Sequence, residues 1–290
     1  MNRISQQELL DAGVHFGHLK KKWNPKMLPY IFMERKGIHI IDLEKTADAL
    51  EEAGNAMKAM AKSGRKIMFV ATKKQAKEIV SQCAQRVGMP YVTERWLGGM
   101  LTNFATIRKS IKKMQSIEKM LADGTLENIT KKEKLMMSRD RDKMEKVLGG
   151  IANMNRLPSA IFLVDIGHEH IALAEADRLN ITTFGMVDTN CDPNKVDYAI
   201  PSNDDATKSI TAITTYLMNA VLEGIEERKN ERVDEAEEAQ DGDENNENAD
   251  GTAVAGAEDA DGEKGKRKRI NAGERMRKPA HKVGGDRKPR

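Results

Sequence analysis

The chain has 290 residues, and its formal charge of +3 is the small remainder of 48 basic and 45 acidic side chains. No apolar run approaches the length of a membrane span. The N-terminus "MNRISQQELLDAG" lacks a signal peptide's apolar centre, and the two unpatterned cysteines, Cys83 and Cys191, suit a reducing compartment and fit no CxxC metal site. The charge is unevenly placed. Residues 1–102 carry +7, 103–157 carry +6 and 158–225 carry −7; 226–263 then carry −13 and 264–290 carry +10. The first part of the chain is suited to a polyanion, while 158–225 is not.

In chain order, "MNRISQQELLDAG" reads as a short amphipathic helix. The next stretch, "HFGHLKKKWNPKMLPYIFMERKGIHIIDLEKT", packs His15, His18, Lys20, Lys21, Lys22, Trp23, Asn24 and Lys26 into twelve residues, with Pro25 and Pro29 stiffening an irregular loop. Ammonium groups neutralise phosphates, and exposed rings stack on unpaired bases. The competing reading is a helix-to-sheet connector whose Trp23 and Phe32 pack inward. Three consecutive lysines cannot all turn inward, so the loop is a basic surface in either case.

"RKIMFVAT" (65–72) is an apolar run suited to a buried strand, and "KKQAKEIVSQCAQRVG" follows as a helix closed by Gly88. "PSAIFLVD" (158–165), "ITTFGMVD" (181–188) and "VDYAIP" (196–201) are three further strands, with the helix "HEHIALAEADRLN" between the first two of them. "NDDATKSITAITTYLMNAVLEGI" forms a long closing helix with its N-cap at Asn203 or Asp204. Strands alternating with helices predict a three-layer α/β body around a parallel sheet.

Residues 103–157 break that rhythm. Ile107, Ile111, Met114, Ile117 and Leu121 share one helical face, a Gly turn interrupts, and Thr130 with Glu133 forms a capping-box pattern. Met137, Met144, Val147 or Leu148, Ile151 and Met154 form the stripe of a return helix. The organisation expected is an α/β body from 1–102 and 158–229, an inserted antiparallel helical hairpin at 103–157, and a disordered acidic-then-basic tail at 230–290. The tail has too few apolar side chains to offset its ordering entropy.

Three constellations invite a chemical reading. His168 and His170, or His15 and His18, could belong to a zinc site, but neither pair recruits a cysteine or matches HExxH. Asp165, Asp188 and Asp192 lie at or just past strand ends, where doubly wound folds place ligands. They suggest a magnesium pocket and a metal-dependent phosphoryl-transfer enzyme, against the simpler reading of turn-making side chains. The turn after the first strand, "VATKKQ", has no glycine and fits neither GxGxxG nor the Walker pattern, and GxSxG is absent. No cofactor or metal is therefore expected.

The runs "LLDAGVHFGH", "WNPKM", "GIHIIDLEKT", "RWLGGMLTNF", "LPSAIFLVD", "HEHIALAEA", "VDTNCDP" and "IPSNDDA" resemble the bacterial small ribosomal subunit protein 2 family, across about residues 5–215. The resemblance implies a flavodoxin-like sheet with a protruding coiled-coil hairpin, and a structural, non-enzymatic protein of the cytoplasmic small ribosomal subunit. The implied partners are small-subunit ribosomal RNA and neighbouring ribosomal proteins, with docking of small ribosomal subunit protein 1 in many bacteria, and no membrane. Carried over by position, the RNA contacts are the His15–Lys26 loop, Arg95, Trp96, Thr102 and Asn103, and the hairpin root with Arg108, Lys109, Lys112 and Lys113. Trp96 has two readings, a core anchor that fixes the Gly98-Gly99 hinge or a ring stacked on a base. This chain departs from many relatives at "LKKKW", which keeps charge but loses forked guanidinium geometry.

Overall fold

The computed structural model describes residues 3–123 and 130–247, with side chains through residue 232. It divides into two units, Met1–Gln240 and Asp241–Arg290; of the second only the helical residues through Glu247 are described. The remainder of the expected tail lies outside the described residues.

The main sheet holds five parallel strands, β4 (Ile67–Val70), β5 (Tyr91–Val92), β6 (Ala160–Val164), β7 (Thr182–Val187) and β8 (Tyr198–Pro201), in the order β5-β4-β6-β7-β8. Counted from β4, that is 2-1-3-4-5, the flavodoxin-like arrangement. The strands read as continuous apolar runs because both faces are covered. Register places Phe69 beside Phe162, Phe162 beside Phe184 and Phe184 beside Tyr198, so a row of rings crosses one face. The Phe69 and Phe162 centroids lie 5.6 Å apart, and Phe184 stacks on Tyr198 at 4.6 Å.

That face packs against α1 (Gln6–Asp11), α2 (Leu43–Lys62), α3 (Lys77–Val87) and α7 (Thr207–Glu247), through Leu9, Leu50, Met57, Val80, Ile213 and Leu217 among others. The other face, with Met68, Val70, Ile161 and Leu163, packs against α6 (His170–Arg178), the 96–101 segment and the root of the hairpin. The long helix begins at Thr207 rather than at Asn203 or Asp204. Asn203 Oδ1 instead accepts from the amides of Asp205 and Ala206 and so shapes the turn before the helix. The helix also runs through 230–247, into the segment expected as tail.

Between β5 and β6 the chain makes α4 (Phe104–Ala122) and α5 (Lys131–Leu148). Ile107, Ile111, Met114 and Ile117 are buried on α4, with Leu148 and Ile151 on the returning side. Thr130 and Glu133 satisfy each other's backbone amides in a capping box, as their spacing predicts.

The expected irregular loop after α1 is instead a second, three-stranded antiparallel sheet. Its strands are β1 (Phe16–Leu19), β2 (Ile31–Arg35) and β3 (Ile38–Ile41), in the order β1-β3-β2. Lys36 and Gly37, both at positive φ, turn β2 into β3, the geometry of a two-residue hairpin. This pairing points Phe32 outward, 69% exposed, which corrects the inward placement expected for it.

Candidate nucleic-acid interface

The basic loop is built on that small sheet. Lys20–Lys22 form one 3₁₀ turn and Pro25–Tyr30 a second, with Asn24 capping the latter by accepting from the Lys26 amide at 3.0 Å. The Asn24 amide donates to the Thr189 carbonyl at 2.7 Å, tying the loop to the main body. Lys21 and Lys22 are exposed and form no ion pair among the described residues. Lys20 and Lys26 face outward too, but pair with Glu34 and Asp192, each at 2.7 Å. The Trp23 ring is half-buried against His39, 5.1 Å between centroids.

The two histidines leave the exposed patch. His15 packs on Phe16, and burial pushes its pKa down, keeping the ring neutral near pH 7. His18 is held between carboxylates, its Nδ1 2.8 Å from Asp188 and its Nε2 3.4 Å from Asp205. The bond to Asp188 outweighs burial and raises the His18 pKa. His18 therefore joins the loop to the acidic strand ends instead of presenting itself to solvent.

The hinge before the hairpin is organised by a residue that sequence reasoning missed. Glu175, on α6 and 8% exposed, accepts from Trp96 Nε1 (3.1 Å) and from the amides of Gly99 (2.7 Å), Leu101 (2.9 Å) and Thr102 (3.0 Å). The Thr102 hydroxyl donates to the same carboxylate at 3.2 Å. Burial alone would raise its pKa, but this set of donors holds it below the ordinary carboxylate value. Trp96 is only 7% exposed and sits in the core beneath the sheet, so it is an anchor and offers no face to a base. Gly99 takes φ +88°, which the sharp turn into α4 requires. The one sequence clue to Glu175 was a carboxylate among the apolar positions Ala172, Leu173 and Ala176 of "HIALAEA".

Beyond the hinge, Arg95 is exposed beside the anchor, and Asn103 precedes α4, accepting from the Thr106 hydroxyl at 2.9 Å. Arg108, Lys109, Lys112 and Lys113 lie on the outward face of α4, opposite its buried stripe. The structure thus separates the predicted residues into an outward set, Lys20, Lys21, Lys22, Lys26, Arg95, Thr102, Asn103, Arg108, Lys109, Lys112 and Lys113, and an inward or bridging set, His15, His18, Trp23, Asn24 and Trp96.

At the carboxyl ends of the strands, near the β4/β6 switch point, the ligand crevice of such a fold is filled by its own side chains. Lys73 Nζ reaches Asp165 (3.2 Å), Asp204 (2.8 Å) and Asp205 (2.6 Å). Asp192, grouped with Asp165 and Asp188 from sequence, is instead engaged by Lys26, while Asp204 and Asp205 take its place. Asp165 holds a positive φ of 64° and accepts from the amides of Gly167 and His168. Among the described residues, His18, Asp188 and Asp204 are the group that could hold a metal ion, with ligand atoms within 4.8 Å of one another. The Lys73 ammonium already neutralises part of that charge. No phosphate-cradling loop accompanies it, since the turn after β4 is Thr72-Lys73 and the Thr72 amide is spent on Glu169.

What the fold offers is an exposed basic surface on a loop and a hairpin, attached to an α/β body whose strand-end crevice is closed by the Lys73 ion pairs. The chain belongs to the ribosomal protein S2 family, whose model matches residues 9–224. It is 61% identical over 234 residues to the small ribosomal subunit protein uS2 of Parabacteroides distasonis, covering 81% of this chain and 84% of that one. The same protein of Porphyromonas gingivalis is 62% identical over 232 residues, 80% and 83% of the two chains. That of Flavobacterium johnsoniae is 61% identical over 235 residues, 81% and 92%.

Proposed function

We propose that the protein is a structural, non-enzymatic constituent of the small subunit of the bacterial ribosome, bound to its RNA through the N-terminal basic loop and the outer face of the hairpin root. The observation that carries this reading is the exposure of Lys21, Lys22, Arg95, Arg108, Lys109, Lys112 and Lys113 on the loop and hairpin root of a chain whose family is ribosomal. Exposed ammonium and guanidinium groups without carboxylate partners are what a phosphate backbone needs, since each contact releases condensed counterions. Arg95 supplies a forked donor, and the lysines supply attraction without direction. His15, His18, Trp23, Asn24 and Trp96 serve this surface by shaping it from within.

Small-subunit RNA and neighbouring small-subunit proteins are the partners. The acidic 158–225 surface suits a protein partner better than RNA, and small ribosomal subunit protein 1 is the candidate there.

The test is sedimentation of cell lysate through a sucrose gradient, following the wild type and the Lys21→Glu/Lys22→Glu variant before and after a high-salt wash. Wild-type protein is expected to travel with small subunits, and the variant to be stripped at lower salt. Protein that stays at the top of the gradient at every salt concentration would overturn the reading.

A further inference from the structure

A second basic surface lies at the opposite end of the main sheet from the acidic cluster. The turn entering β4, the turn entering β5 and the segment entering β6 enclose a cleft of about 720 Å³ at the amino ends of the strands. Gly64, Arg65, Lys66, Asn153, Asn155 and Arg156 line it, and no carboxylate does. Arg65 and Arg156 are exposed and take part in no ion pair among the described residues. Lys66 is held toward the rim by donating to the Gly88 carbonyl at 2.9 Å. A further guanidinium, from Arg228 on α7, packs so closely on Gly64 that a Cβ there would meet it at 2.3 Å.

On the flank formed by α2 and α7, by contrast, cations are paired, Lys58 with Glu223 and Glu227 and Lys62 with Glu231. The cleft gathers cations, leaves two guanidinium groups free among the described residues and has no acid in its lining, so it is a local concentration of positive charge. Its lining offers charge together with the neutral donors Asn153 and Asn155, the mixture that phosphate and sugar oxygens accept from. At Gly88 a Cβ would meet nothing within 4 Å, so that wall leaves the main chain open to a ligand.

We propose that this cleft is a second RNA-binding site, taking the phosphodiester backbone of a ribosomal RNA strand that the N-terminal loop and the outward face of α4 do not reach. The inference rests on the ribosomal reading above. It places RNA on the amino-end side of the body as well, leaving the carboxyl-end acidic surface for protein. An acidic protein segment is the other occupant with matching charge. RNA is favoured because the lining pairs the forked guanidinium groups of Arg65 and Arg156 with the amide donors of Asn153 and Asn155.

The experiment is site-directed photo-crosslinking in small subunits from cells whose only copy of the full-length protein carries Asn155→Cys, with Cys83 and Cys191 replaced by serine and alanine. The cysteine is alkylated with an azidophenacyl group, irradiated, and the adduct identified after nuclease or protease digestion. Matched subunits carry Lys21→Cys on the basic loop and His170→Cys at the start of α6, on the carboxyl-end side of the sheet. An RNA adduct from position 155, lost when Arg65→Gln and Arg156→Gln are added and absent from position 170, supports the cleft. An RNA adduct from position 21 with none from 155 overturns the cleft and leaves the ribosomal reading standing. An adduct from 155 to a protein assigns the cleft to a protein partner and also overturns it. Absence of all three proteins from small subunits overturns both readings together.

Discussion

Trp96 Nε1 donates to Glu175 Oε1 at 3.1 Å, and the same carboxylate gathers the amides of Gly99, Leu101 and Thr102. One buried charge on α6 thus fixes the tryptophan, the glycine turn and the entry to the hairpin that carries Arg108–Lys113. Glu175→Gln keeps the shape but replaces one acceptor oxygen with a donor that opposes amide hydrogens. It is expected to cost about 3 kcal/mol, since hydrogen bonds to charge are strong and donors left unpaired are costly. Trp96→Phe removes the indole N–H together with part of a buried ring, and is expected to cost about 2 kcal/mol or more. Urea midpoints measure both. A Trp96→Phe variant that folds with unchanged stability would show that the indole bond contributes nothing.

The same carboxylate sets an acid limit. Its pKa is lowered in the folded state, so its stabilisation is fully present above the unfolded value, near the ordinary 4.5, and is lost as pH falls through the lower folded value. Wild-type stability should therefore drop more steeply below pH 5 than that of Glu175→Gln, and the two curves should converge with acid. Parallel denaturation curves over that range would remove Glu175 from the account.

Much of the body was legible because β4, β6 and β7 are buried on both faces and read as unbroken apolar runs, while Ile107, Ile111, Met114 and Ile117 repeat at helical spacing. The small sheet was not legible, because prolines 25 and 29 and the lysine run masked the Lys36-Gly37 turn and the short strands on either side of it. Outward placement of the lysines followed from charge alone. The inward turn of His18 did not, since Asp188 and Asp205 are brought to it from far along the chain. Glu175 escaped for the same reason. A lone acid on an apolar helix face gives no hint that five donors will converge on it from a segment more than seventy residues earlier.

Close approach at the hairpin root makes Gly150 and Gly98 behave oppositely. A Cβ on Gly150 would sit 2.2 Å from the Tyr91 carbonyl, whereas one on Gly98 would meet nothing within 4 Å. Gly150→Ala must displace backbone, with an expected cost of about 2 kcal/mol or more. Gly98→Ala should stay within about 0.5 kcal/mol of wild type. Thermal or urea unfolding of the pair checks this, and equal effects would place the hairpin root differently against β5.

The Lys73 cluster gives a pH dependence of the opposite sign. Burial first, and then the charges of Asp165 and Asp188, push the Asp204 pKa up to about 7, against the pull of Lys73. A raised carboxylate contributes stability that is fully present below its unfolded value, 3.8, and lost as pH rises through about 7. Lys73 offsets that loss by neutralising the ionised form. Lys73→Met, which keeps the chain length without the charge, leaves a fully buried Asp204 and a largely buried Asp165 without their cation. It is expected to cost about 3 kcal/mol near pH 8, as removal of one partner of a buried pair does. Near pH 5, where Asp204 is largely protonated, the deficit should be clearly smaller. Denaturant midpoints of wild type and variant at the two pH values decide it, and a deficit equal at both would mean that Asp204 does not titrate between them.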